Sequence, residues 1–254
     1  MTGQLAIVGL GPGGAAHRTR AAEDAVRQAE VVFGYHAYLA ACAELTGAHQ
    51  AVLPSPIGAE QQRAQQAVRA ATEGARVALV SSGDAGIYGM ASLALTAAAA
   101  VPAAQRPPVR VVPGVTAAIA AAAALGAPLA RDFACLTLSD VLAPWEAVES
   151  RLRAVAAADL VLALYNPRSP ARPWQLERAR QILAEYRPPT TPVGLVTDAG
   201  RDGERVQLAT LATMDPAAAG MHTIVIIGAG GTSRLGDWLV TARSAGPSPG
   251  GAQR

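Results

Sequence analysis

Three apolar runs in the first half of the chain, "QLAIVGL" (4–10), "RVALVS" (76–81) and "VRVVPG" (109–114), each lead through a glycine-containing turn towards helix-forming sequence. No other feature restricts the fold as much. Short, near-continuous apolar runs are strands buried on both faces, and the glycine turns return the chain as covering helices. "RAAEDAVRQAE" (20–30), "AEQQRAQQAVRAATEG" (59–74), "ASLALTAAAA" (91–100) and "VTAAIAAAAALG" (115–126) are those helices, with Gly74 a left-handed stop for the second. "VVFG" (31–34) adds a further short strand.

The second half is organised differently. Residues 134–140, 158–166, 192–198, 205–211 and 222–228 give five strand candidates, with only two clear helices around 145–157 and 172–186. The last strands follow one another through loops and are expected to pair antiparallel. "LGAPLARD" (125–132) reads as the linker. The expected fold class is therefore α/β: two α/β domains with a cleft between them, 1–124 with a mostly parallel sheet and 125–243 with a mixed one. The tail 244–254 has nothing to bury and is expected to be disordered.

Composition narrows the function classes. Half the chain (51%) is hydrophobic but only 4% is aromatic, so the cores are built from Val, Leu and Ala. The net charge is +2 and the basic residues are scattered, which argues against a nucleic-acid surface and is compatible with an acidic small-molecule substrate. Cys42 and Cys135 are far apart without metal-ligand spacing, so no metal is expected and both read as structural thiols. The start "MTGQLAIVGLGPGG" is a strand entering a glycine loop rather than a signal peptide, and no apolar run suits a membrane span. A cytoplasmic protein without membrane partners is expected.

"GLGPGG" (9–14) matches G-x-G-x-x-G at Gly9, Gly11 and Gly14, yet Pro12 lacks the N–H that a pyrophosphate loop donates. No acidic residue for a ribose follows the second strand, which ends "FGYH" (33–36), and the dinucleotide reading is rejected. A tight structural turn and a ligand contact remain equal readings of this loop. "SSGDAGIYG" (81–89) places Asp84 among glycines that let a ligand approach the backbone. Its carboxylate suits a cationic or hydroxyl-bearing ligand, or caps a helix starting near Ile87. "VVPGVTAA" (111–118) repeats the strand, Pro-Gly turn and helix start.

In this order the three loops resemble the tetrapyrrole methylase family, over about residues 4 to 240. The family implies S-adenosylmethionine as methyl donor, a tetrapyrrole substrate and a homodimer. "FGYHAYL" (33–39), "LGAPLARDF" (125–133), "LSDVLAPWEAVESRL" (138–152), "ALYNPRS" (163–169) and "AGRDGE" (199–204) resemble the members that methylate C17 of precorrin-3B and contract its ring in corrin synthesis. The metal-free and cobalt-containing substrates both stay open, as do another ring carbon and a non-catalytic tetrapyrrole-binding scaffold.

Carried over by resemblance, Pro12 lies against the cofactor, and Ser82, Gly83 and Asp84 surround its methionine and ribose part above Ile87. Thr116 and Ala117 contact the amino-acid end, while Asn166, Ala199, His222 and Thr223 match adenine-edge positions. Uroporphyrinogen-methylating members carry an aspartate where this chain has Tyr35. By chemistry alone Tyr35, His36, Asp84 and Asp140 are candidates for proton transfer. Arg131, Arg168, Arg172 and Arg201 flank the motifs and, as a set, suit substrate carboxylates. His17 and His49 read as surface residues, Trp145 and Trp174 as packing residues.

Overall fold

The computed structural model describes residues 3–141 and 143–243, and the chain divides between Ala117 and Ala118 into two compact units. The first unit runs β1 (Gln4–Gly9), α1 (Arg20–Gln28), β2 (Val31–Tyr35), α2 (His36–Ala40), β3 (Ala51–Ser55), α3 (Glu60–Thr72), β4 (Arg76–Ser81), α4 (Ala91–Ala99) and β5 (Val109–Val112). Its strands form one parallel sheet in the order β3-β2-β4-β1-β5. Alternate side chains of β1 face opposite ways: Leu5 and Ile7 pack with α3 and α4, Ala6 and Val8 with α1.

That division positions the functional loops. β1 leaves towards α1 on one face of the sheet, whereas its neighbour β4 leaves towards α4 on the other. Loops that diverge from adjacent parallel strands open a crevice at their carboxyl ends, where open α/β sheets bind ligands. The loops concerned are "GLGPGG" and "SSGDAGIYG". Only a three-residue 3-10 turn (Ala15–His17) follows the glycines and α1 begins at Arg20, so no α-helix N-terminus stands behind them as a dinucleotide loop requires.

The second unit continues with α5 (Ala117–Leu125), whose first residue closes the first unit, β6 (Gly126–Ala127), β7 (Phe133–Thr137), α6 (Trp145–Ala157), β8 (Val161–Tyr165), α7 (Gln175–Ala184), β9 (Pro192–Thr197), β10 (Arg205–Thr210), β11 (Thr223–Ile227), β12 (Thr232–Leu235) and β13 (Trp238–Thr241). Its main sheet has the order β10-β9-β11-β8-β7, in which only β7 and β8 are parallel; β12, β13 and β6 form a small second sheet. α6 and α7 pack their leucines and Ile182 over β8, β9 and β11. α5 also packs in this unit. A Cβ on Gly194 of β9 would come within 2.5 Å of the Leu125 methyl groups, and the Tyr165 hydroxyl of β8 accepts the Ala118 N–H at 3.0 Å.

The fold class expected from the sequence holds: a parallel first sheet and a mixed, largely antiparallel second one. β3 escaped the sequence reading because Pro54 interrupts it and its face is largely exposed. "SSGDAGIYG" and "VVPGVTAA" therefore follow the fourth and fifth strands, not the third and fourth. The hairpin β12–β13 was missed as well. The tail 244–254 lies outside the described residues. Among those described, no helix is long and apolar enough to cross a membrane.

The two thiols differ. Cys135 is only half-buried on the edge strand β7, whereas Cys42 has no exposed surface. Burial pushes the Cys42 thiol up to about 11, against the opposing pull of Arg18. The unfolded thiol ionises near its ordinary value of 9.0, so the stability that comes from keeping it neutral is whole below that pH. It declines towards pH 11, by at most about 1.4 kcal/mol per pH unit. The fall in urea midpoint between pH 8.5 and 10.5 should be steeper in wild type than in Cys42→Ala; parallel curves would remove this contribution.

Candidate functional site

In the first unit three strand ends meet backbone to backbone. A Cβ on Gly9 would lie 2.7 Å from the Gly83 carbonyl oxygen and 2.8 Å from the Gly114 nitrogen. Only glycine permits that approach. Gly11 and Gly83 exchange two hydrogen bonds, Gly11 N–H to Gly83 O at 3.0 Å and Gly83 N–H to Gly11 O at 2.8 Å, and both adopt positive φ (80° and 63°). Leu10 N–H donates to Ser81 O at 2.9 Å. The N–H groups of Leu10 and Gly11 are thus spent on the opposite loop rather than turned to a phosphate.

Asp84 ties the third loop to this knot. Its Oδ1 accepts Gly86 N–H at 2.8 Å and its Oδ2 accepts Gly114 N–H at 3.0 Å. The alternative of a helix cap near Ile87 is corrected: α4 begins at Ala91, and residues 85–90 are a turn followed by bends. Ile87 and Tyr88 stand exposed there, Tyr88 with φ 52°, a conformation that bulky side chains rarely adopt. The sequence reading had not singled out Tyr88.

The other expected residues of this unit fall around the knot. Pro12 is buried, and Ser82, Thr116 and Ala117 are half-buried. A Cβ on Gly83 would project towards Thr116 and Ala117 with nothing nearer than 3.7 Å. Tyr35 closes β2 and His36 opens α2, their rings 4.1 Å apart, with Tyr38 edge-on to Tyr35 at 5.2 Å. His17 and His49 are exposed.

In the second unit the pairing of β7, β8, β9 and β11 gathers another set. Asn166 donates from Nδ2 to Thr137 Oγ1 at 3.0 Å, joining the ends of β7 and β8. Thr197 and Thr223, opposed on β9 and β11, share a hydroxyl hydrogen bond of 2.9 Å. Asp198 and His222 meet at 3.0 Å between Oδ1 and Nδ1, Arg201 lies 3.8 Å from the same carboxylate, and Ala199 is buried. Asp198 was missed in the sequence because its partner lies across a strand pairing. Asn166 (φ 51°) and Asp198 (φ 53°) are both left-handed at strand ends, a strain that concentrates at functional positions.

Asn166→Ala should therefore lower stability by about 1–2 kcal/mol through the left-handed backbone, plus the lost hydrogen bond. Asn166→Gly should lose less, as measured by urea unfolding. Equal losses would remove backbone strain as the cause.

The four flanking arginines are not one cluster of equivalents. Arg201 faces Asp198, and Arg172 is held by Ser139 and Met221. Arg168 is half-buried and Arg131 exposed. Asp140 accepts a long hydrogen bond of 3.4 Å from Gln175 Nε2. Trp145 and Trp174 pack edge to face at 4.8 Å. Among the described residues no group of His, Cys, Asp and Glu is arranged to hold a metal ion.

A family model described as Tetrapyrrole (Corrin/Porphyrin) Methylases matches residues 4–215. The chain is 44% identical to the probable cobalt-factor III C(17)-methyltransferase of Salmonella typhimurium, over 88% of this chain and 92% of that protein. It is 42% identical to the precorrin-3B C(17)-methyltransferase of a Sinorhizobium species, over 90% and 89% respectively. At 40% identity it spans 45% of a longer relative, the cobalt-factor III methyltransferase of Priestia megaterium. The crystal structure of the methyltransferase CobJ aligns with a TM-score of 0.90 at 38% identity, covering 94% of this chain and 100% of that one. A uroporphyrin-III C-methyl transferase of Thermus thermophilus, complexed with S-adenosyl homocysteine, shares the fold with a TM-score of 0.67 at 22% identity, over 89% and 92%.

Proposed function

Because the chain belongs to the tetrapyrrole methylase family, we propose that it is an S-adenosylmethionine-dependent methyltransferase of cobalamin biosynthesis that methylates C17 of precorrin-3B, or of its cobalt-containing counterpart, with contraction of the ring. One observation carries this reading: two relatives matched almost end to end are both named for transfer to C17.

The first unit's loops fit such a donor. Residues 9–13, 82–90 and 113–117 contain no lysine or arginine, so nothing there favours a phosphate. The backbone of Gly83 lies beside Thr116 and Ala117, and exposed Ile87 and Tyr88 offer apolar surface. Bound S-adenosylmethionine supplies an activated methyl group on a sulfonium. The protein's contribution to such a transfer is chiefly alignment, and holding two reactants in line can supply a large part of the barrier reduction.

In this reading Pro12, Ser82, Gly83, Ile87, Thr116 and Ala117 hold the donor in the first unit, with Asp84 fixing the loops that do so. Asn166, Ala199, His222 and Thr223 are the adenine-edge positions carried over by the resemblance. Ring contraction also needs a proton moved. Tyr35, His36 and Asp140 are the groups for it, since Asp84 already serves two backbone N–H groups. The enzyme works in the cytoplasm as a homodimer, which light scattering of the purified protein tests.

The deciding experiment supplies methyl-labelled S-adenosylmethionine with precorrin-3B and, separately, with cobalt-factor III. One labelled methyl at C17 and the absorption change of a contracted ring are expected, and the faster substrate settles the metal question. Label at another carbon would replace the C17 assignment, and absence of donor binding would refute the cofactor reading.

A further inference from the structure

The loop between β8 and α7, "NPRSPARPW" (166–174), presents a guanidinium with an incomplete set of partners. Four arginines among the described residues have an Nε shut off from solvent and unpartnered: Arg18, Arg63, Arg172 and Arg187. Arg18 pairs with Glu44 at 2.6 Å, Arg63 has Ser55 at 2.6 Å with Glu60 at 3.7 Å, and Arg187 reaches two carbonyl oxygens, each at 2.6 Å. Among the described residues, the Arg172 side chain has neither a carboxylate nor a carbonyl as partner. Its Nη1 donates to the Ser139 hydroxyl and its Nη2 to the Met221 sulfur at 3.7 Å. A half-buried cation with only a hydroxyl and a thioether lacks the counter-charge that makes burial tolerable. The carboxylate next to Ser139 does not supply it, because Asp140 accepts from Gln175 instead.

The arm is also rigid before any ligand arrives. Ser169 and Arg172 exchange backbone hydrogen bonds at 3.1 and 2.9 Å, and Pro167, Pro170 and Pro173 restrict the chain around them. Trp174 is pinned edge-on to Trp145, and Gln175 is 1% exposed. A charge fixed in advance loses little entropy on binding.

We propose that Arg172, oriented by Ser139, anchors one carboxylate arm of the tetrapyrrole; this rests on the function proposed above. A forked guanidinium matches a carboxylate through paired N–H donors. The methionine end of the methyl donor carries a carboxylate too, so the test has one arm for each source.

The steady-state KM for the tetrapyrrole and the calorimetric Kd for S-adenosylhomocysteine are measured for wild type, Arg172→Gln, Arg172→Lys and Ser139→Ala. Arg172→Gln should raise the tetrapyrrole KM roughly 10- to 100-fold, the scale of a lost charge-assisted pair, with a much smaller change in kcat and an unchanged Kd. Lysine keeps the charge without the fork, so its KM should fall in between; Ser139→Ala should raise KM a few-fold. If the Arg172→Gln protein does not fold, the lysine variant decides by the same criterion. An unchanged tetrapyrrole KM in an active enzyme overturns this assignment alone. Weakened S-adenosylhomocysteine binding with unchanged KM also overturns it, by giving Arg172 to the donor. A wild-type protein that turns over no tetrapyrrole sinks this inference together with the functional reading.

Discussion

Gly114→Ala should lose about 3 kcal/mol or more of stability, the upper range for forcing an atom into a packed region, and with it measurable affinity for S-adenosylhomocysteine. The added Cβ would stand 2.2 Å from the Gly83 carbonyl oxygen and 2.6 Å from that of Gly9. Both obstacles are backbone, so no side chain can swing aside, and relief requires the loops after β1, β4 and β5 to separate. Gly14→Ala is the control: nothing lies within 4 Å of its Cβ position, and its φ of −67° suits any residue. Urea unfolding and calorimetry on both variants read the difference. A Gly114→Ala protein as stable as wild type would show that the three strand ends are not in contact.

The second large effect is expected at Asp84. Alanine there removes the acceptors of Gly86 N–H and Gly114 N–H together. The half-buried Gly114 donor has less access to water than the exposed Gly86, so it should dominate a loss of about 2 kcal/mol. The Asp84→Asn variant keeps one oxygen acceptor and turns an amide towards the other N–H, so it should lie between wild type and alanine. Donor affinity should follow the same order, because the carboxylate acts by holding the loops. Stability left intact while turnover disappears would reverse the assignment and make Asp84 a proton-transfer group.

Much of this molecule could be read locally. The runs at β1 and β4 announced themselves by apolar continuity, α1 by its spacing, and Gly74 by its place at the end of α3, where it adopts φ 107°. Each of those signals comes from a few consecutive residues meeting a buried face or a backbone turn. β3 gave no such signal, since an exposed edge strand with a proline has neither the apolar run nor the full set of N–H donors that mark a strand. The packing partner of α5 was equally hidden. An alanine-rich helix can pack on either sheet, and Leu125 against Gly194 decides which.

The candidate site divides in the same way. The order of the glycine loops along the chain already pointed to the family, and every residue expected to hold the donor was named from it. What those residues touch was decided by the tertiary structure alone. Asp84 meets Gly114 because β1 lies between β4 and β5, which brings the loops after all three to one place. His222 meets Asp198 because β11 pairs antiparallel with β9, and Arg172 meets Ser139 because β7 lies beside β8. Periodicity in a sequence records which side of an element avoids water. A hydrogen bond between distant residues depends instead on strand order and register, which are set only when the whole sheet assembles.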